Sequence, residues 1–161
     1  PDYIQTAYQS LHYHAITTVY LRYAQAVKLP APLTGFADGT AQWVLHRGAL
    51  GLPDNEVAVV ISVSDCTEAW KDKDLAEKVH ADIKRICPDL GKPEAVRIIT
   101  EKRATTAATV DFVQPDFSWL HHRRIYPAGD YLHPRYPATL EAAVQSGFAA
   151  AEKLMLDLRF E

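Results

Sequence analysis

The sequence predicts an α+β protein built on a largely antiparallel sheet of about five strands with two main helices. Three observations lead there. β-branched and aromatic runs follow one another with only loops between them. Helical periodicity enters late, twice. The coarse order is therefore strand, strand, strand, helix, strand, strand, helix, which suits an antiparallel sheet with helices added to it. With 161 residues, 48% hydrophobic and 23% charged, the chain has the composition of a soluble globular domain with a real core.

Residues 15–23 (AITTVYLRY) form the first expected strand. Residues 29–38 carry Pro30, Pro32 and Gly35 and read as a loop. Residues 39–46 (GTAQWVLH) make a second strand, and residues 47–55 a turn segment ending in Pro-Asp-Asn. The run Glu56 to Val63 is almost continuously apolar, as in a strand buried on both faces.

A helix follows, starting either at the Asp65/Glu68 pair or at Asp74 with Glu77. Leu75, Val79, Ile83 and Ile86 fall at helical spacing, and Pro88 stops the run. Residues 94–102 are a further strand, 103–119 a loop, and 124–128 (RIYPA) a short strand entering Gly129-Asp130. After Pro137, Leu140, Val144, Phe148, Ala151, Leu154 and Leu158 recur every three or four residues, giving one apolar stripe over about five turns.

Composition excludes several functions. A net charge of −3, with acidic residues interspersed among the arginines, gives no basic surface for nucleic acid. No apolar run approaches the roughly 20 residues that span a bilayer. Cys66 and Cys87 form no CxxC and are expected as reduced thiols of a cytosolic protein. His12 and His14 share strand parity and His121 and His122 are adjacent, but none has acidic or Cys neighbours at ligand spacing, so no metal site is expected.

The stretch from Tyr126 to Ala151, YPAGDYLHPRYPATLEAAVQSGFAAA, carries the chemistry. Gly129 allows close backbone approach, and Asp130 can accept hydrogen bonds from sugar-like hydroxyls. Free N–H groups at the helix start favour an electron-rich group. The residues alone fit either a site for a polyol phosphate or ring oxygen, or an ordinary connection in which Asp130 serves the turn. Tyr20 and Trp43 can wall an apolar cavity, with His46 and Arg47 placing charge at its mouth; a plain core and a solvated strand end are the alternatives.

Ala-Gly-Asp followed by Pro-Ala-Thr-Leu-Glu-Ala-Ala-Val-Gln-Ser-Gly resembles the last FAD-binding motif of the amine oxidase and phytoene desaturase flavoproteins. Residues 16–23 (ITTVYLRY), 29–32 (LPAP), 42–44 (QWV), 47–48 (RG) and 101–105 (EKRAT) are similar to the squalene-associated desaturases, the hydroxysqualene dehydroxylases of hopanoid synthesis. The chain departs from that pattern at Ala142, Phe148, His46 and residues 131–136.

The resemblance implies the C-terminal part of an FAD-dependent oxidoreductase acting on a squalene- or carotenoid-type isoprenoid. It implies a substrate-domain portion over 1–120 and the last strand, loop and helix of an FAD domain over 121–161. Gly129, Asp130, Pro137, Ala138, Thr139 and Leu140 would touch the cofactor: Asp130 at the ribityl chain, and the Thr139 and Leu140 N–H groups at the ring's pyrimidine edge. Tyr20, Trp43, His46 and Arg47 would line the substrate site. No catalytic acid or base is assigned.

No three of the seven glycines have GxGxxG spacing, so the N-terminal dinucleotide-binding region of the same polypeptide is expected elsewhere. Weak or absent FAD binding by this chain alone, self-association, and at most peripheral membrane contact are further expectations. The competing reading is a self-sufficient α+β module that holds an apolar ligand or a protein partner without flavin.

Overall fold

The computed structural model describes residues 1–64, 71–109, 114 and 116–159. The elements in chain order are α1 (Asp2–Gln9), β1 (Tyr13–Arg22), β2 (Leu33–Gly35), β3 (Trp43–His46), β4 (Glu56–Ser62), α2 (Asp72–Ile86), β5 (Ala95–Thr106), α3 (Ser118–His121) and α4 (Leu140–Arg159). The five strands form one sheet in the order β2-β3-β4-β1-β5, the α+β class expected. The chain divides into two compact units, His14–Ala104, and Pro1–Tyr13 with Thr105–Glu161.

In the first unit, β1 pairs antiparallel with β4 (Ile16 opposite Ser62, Arg22 opposite Glu56), and β3 pairs antiparallel with β4 and β2. Alternation sends Val19 and Leu21 of β1, Val44 of β3, and Val57, Val59 and Ile61 of β4 to one face. There they form the core with Leu75, Val79 and Ile83 of α2. α2 starts with Asp72 and Asp74 and ends with Lys84 and Arg85, charges that suit the helix dipole at both ends. It stops at Cys87, the residue before Pro88, as expected.

Side chains complete what the short strands leave open. The Asp82 carboxylate accepts hydrogen bonds from the Thr40 and Ala41 N–H groups at 2.6 and 2.9 Å. It lies so close to Gly39 (φ 104°) that a Cβ there would collide with it. The Gln42 side chain donates to the Ser62 carbonyl (3.1 Å) and accepts from the Ser62 N–H (2.8 Å), extending the β3–β4 ladder.

Several elements differ from expectation. β2 lies inside the expected loop 29–38, where Thr34 and Gly35 pair with Val44 and Trp43. Residues 47–50 of the expected turn wind into one 3₁₀ turn closed by left-handed Gly51. β5 continues to Thr106, past Lys102, because an edge strand tolerates the charges at Glu101, Lys102 and Arg103. α2 begins at Asp72; the Asp65/Glu68 start and Cys66 lie outside the described residues.

Residues 124–128 are not a strand. Arg124 adopts a left-handed conformation (φ 57°), Ile125 N–H bonds back to Leu120 (3.0 Å), and Pro127 has no donor for a ladder. The segment lies along α4, held by Tyr126 Oη donating to Asp157 (2.9 Å) and Gly129 N–H donating to Ser146 Oγ (2.9 Å).

Candidate functional site

In the first unit the sheet has a second face, opposite α2. Register places Trp43, Val60 and Thr18 in one cross-strand row on it and Leu45, Ala58 and Tyr20 in the next. Apart from buried Ala58, these side chains are only partly covered: Trp43 remains 48% exposed. The Trp43 ring lies across Gly35, where a Cβ would approach it to 3.0 Å.

Arg47 stands over the Tyr20 ring, 5.5 Å from its centroid, and is fixed by an ion pair to Glu56 at 2.9 Å. Tyr20, Trp43 and Arg47 thus share one apolar face with a cationic end. His46 has the parity of Val44 and belongs to the other face; its Nε2 pairs with the Asp54 carbonyl at 3.3 Å, beside the turn that carries Arg47. Of the four expected substrate residues the structure brings three together and turns the fourth away.

Sequence reading missed Glu56, Arg22 and Arg97, which border the same face. The signal was present, since Arg22 alternates in phase with Tyr20.

In the second unit the expected cofactor segment folds around the start of α4. Thr139 caps the helix: its Oγ1 accepts from Ala142 N–H at 3.1 Å and its carbonyl accepts from Ala143 N–H at 3.1 Å. Among the described residues, the N–H groups of Thr139, Leu140 and Glu141 donate to nothing, as the first turn of a helix dictates. Ala138 just before them is left-handed (φ 62°), a conformation that costs a non-glycine residue about 1–2 kcal/mol.

Pro137 and Ala138 line a cavity of about 360 Å³ with Thr106, Gln114, Tyr131 and His133. Asp130 opens a 3₁₀ turn and is half-buried, and among the described residues its carboxylate accepts no hydrogen bond. Gly129 is extended, and a Cβ there would overlap the Tyr131 ring. The glycine therefore makes room for Tyr131.

Burial, then the hydrogen bond to Tyr8 Oη (2.9 Å), with smaller repulsions from Tyr8, Tyr13 and last Asp130, push the Tyr131 phenol well up, so it stays protonated. The arrangement fits a flavin on the side of its donors and acceptors: three unused N–H groups suit an electron-rich ring edge, and a free carboxylate suits ribityl hydroxyls.

The family model for flavin-containing amine oxidoreductases matches residues 1–155. The chain belongs to this family. Among curated members, it is 31% identical over 147 residues to the hydroxysqualene dehydroxylase of Rhodopseudomonas palustris, covering 89% of this chain and 33% of that protein. It is 26% identical over 149 residues to the hydroxysqualene dehydroxylase of Zymomonas mobilis, covering 87% and 32%.

The chain thus spans about a third of the length of the curated relatives it matches. A solved structure from Exiguobacterium sp. 255-15, assigned as a protoporphyrinogen oxidase, shares the fold with a TM-score of 0.57 at 17% identity. The match covers 89% of this chain and 36% of that one. Membership makes the chain part of an oxidoreductase family whose members use flavin. No helix among the described residues is long and apolar enough to cross a membrane, and no three described His, Cys, Asp or Glu side chains gather as a metal site.

Proposed function

We propose that this chain is the flavin-closing and substrate-floor portion of an FAD-dependent oxidoreductase acting on a squalene- or carotenoid-type isoprenoid, as in hopanoid or carotenoid synthesis. The observation that carries the reading is the family match over residues 1–155, which includes the α4 start with its unused N–H groups. The two hydroxysqualene dehydroxylases favour hydroxysqualene as the isoprenoid.

Residues 121–161 supply the cofactor contacts. Asp130 accepts from ribityl hydroxyls, Thr139 and Leu140 donate N–H groups to the ring edge, and Gly129, Pro137 and Ala138 shape the approach. FAD supplies the electron transfer. Residues 1–120 supply the substrate side, where Tyr20 and Trp43 shield the apolar chain from water and Arg47, held by Glu56, marks the polar end. His46 steadies the Arg47 turn from the opposite face. The dinucleotide-binding region comes from the rest of a longer polypeptide, so half the FAD contacts are missing when this chain is alone.

Titration of the chain with FAD, followed by flavin absorbance and tryptophan fluorescence, tests this. Weak or no binding is expected, with Asp130→Ala lowering flavin occupancy about tenfold in a protein that carries the dinucleotide-binding region. Tight stoichiometric binding by these 161 residues alone would refute the fragment reading. Failure of the flavin-loaded longer protein to consume hydroxysqualene would refute the substrate.

A further inference from the structure

The partly covered sheet face ends in a concentration of positive charge that a neutral isoprenoid has no use for. Arg22 follows Tyr20 in phase on β1 and lies opposite Glu56 on β4. On β5, Thr100 meets Thr17 on the core side, their hydroxyls 2.8 Å apart. Alternation then sends Arg97 and Ile99 to the side of Tyr20 and Arg22. These residues, with Arg47 and Glu56, line one concavity of about 570 Å³.

Three guanidiniums thus face a single carboxylate there, a local excess of two positive charges. Glu56 is committed to Arg47 at 2.9 Å, and among the described residues Arg22 and Arg97 have no ion-pair partner. Like charges on adjacent strands repel one another, so the arrangement carries a cost that an anion would remove. The guanidinium fork matches phosphate and carboxylate oxygens in pairs. Beside the arginines, Ile99 (45% exposed) and the Tyr20 ring continue into the apolar rows of the face.

We propose that Arg22, Arg47 and Arg97 form an oxyanion-binding site for an amphiphile whose apolar chain lies along Ile99 and Tyr20. The ligand class is a phosphate monoester of a long hydrocarbon. The site uses no flavin contact but shares Tyr20 and Arg47 with the proposed substrate floor; phosphate binding is read without turnover, so its failure is distinguishable from failure of the oxidoreductase reading.

Calorimetric titration of the full chain with dodecyl phosphate and with inorganic phosphate tests the proposal. Dodecyl phosphate is expected to bind at least about tenfold tighter, with affinity falling as salt is raised. Arg22→Gln and Arg97→Gln each weaken both ligands about tenfold, and Arg47→Lys keeps the charge but loses part of the affinity. Ile99→Ser weakens only dodecyl phosphate.

All three altered positions other than Arg47 are exposed, and superimposable thermal melts check the fold. Should a Gln variant melt early, Arg22→Lys and Arg97→Lys serve in its place. Binding of neither ligand, or binding untouched by the arginine changes, overturns the site. Co-sedimentation with phosphatidic acid vesicles but not with phosphatidylcholine, without binding of soluble dodecyl phosphate, also overturns it by making a lipid surface the source of the phosphate.

Discussion

α2 and α4 are written in the same code and meet different fates. Each carries an apolar stripe at helical spacing. On α2, Leu75, Ala76, Val79 and Ile83 are all buried against the sheet. On α4, only Ala142 is buried, while Leu140 is 90% and Phe148 67% exposed, and Val144, Met155 and Leu158 are about half exposed. Periodicity specifies a helix and a face; it does not specify what covers the face. The α2 stripe is answered by strands of its own unit. Among the described residues of its unit, the α4 stripe stays largely uncovered, which is what a helix built to close a larger flavoprotein domain would show.

The difference predicts where mutation hurts. Ile83→Ala removes fully buried methyl groups and should cost about 3–4 kcal/mol in urea denaturation. Phe148→Ala on α4 should stay within about 0.5 kcal/mol in the same experiment, despite the larger side chain. Equal losses at the two positions would mean that α4 is covered after all. If the exposed stripe drives self-association, Phe148→Ser should lower the weight-average mass seen by light scattering; an unchanged mass would place association elsewhere.

Smaller effects sharpen the contrast at the helix starts. Thr139→Ala removes the α4 cap and should cost about 1 kcal/mol, seen as faster amide exchange at Ala142 and Ala143. α2 has no side-chain cap at Lys71, so Lys71→Ala should leave its exchange unchanged. Ala138→Gly should gain about 0.5–1 kcal/mol by relieving the left-handed backbone, net of the added chain entropy.

The smallest effect is a pH dependence on α2. Burial, then Lys84 and Lys92, hold the His80 imidazole below its ordinary value, and Tyr23 Oη lies 3.1 Å from its Nδ1. The unfolded chain therefore binds the proton first as pH falls. Stability should decline below the ordinary imidazole pKa of about 6.5 and level off once the folded-state imidazole is also protonated. Lys92→Gln should raise the His80 pKa in an NMR titration; no movement would remove Lys92 from the account.

Much of this was legible in the sequence because periodicity and burial agree along β1, β4 and α2. The failures have local causes. α1 went unread because its stripe, Ile4, Ala7 and Tyr8, covers barely one turn of an eight-residue helix and buries only Ile4. Residues 124–128 looked like a strand by composition, yet Tyr126 and Gly129 find their partners on α4. At the candidate site, the resemblance pointed to Asp130 and Thr139 as cofactor contacts, but nothing in it indicated that Gly129 accommodates Tyr131. The phase of Arg22 with Tyr20 is readable, but its convergence with Arg97 stayed hidden because it depends on which strands are neighbours, and β1 and β5 are more than 70 residues apart.

β5 has a further consequence for anyone who prepares this protein. It is a 12-residue strand at the end of the sheet order, with β1 its neighbour on one side. Among the described residues, its other side offers backbone donors and acceptors to any passing chain. Glu101, Lys102 and Arg103 guard its second half, while the first half, Ala95–Thr100, has Arg97 as its sole charge. Aggregation in storage should start from that unguarded half, and one added lysine at Val96 would do more for shelf life than any change to the core.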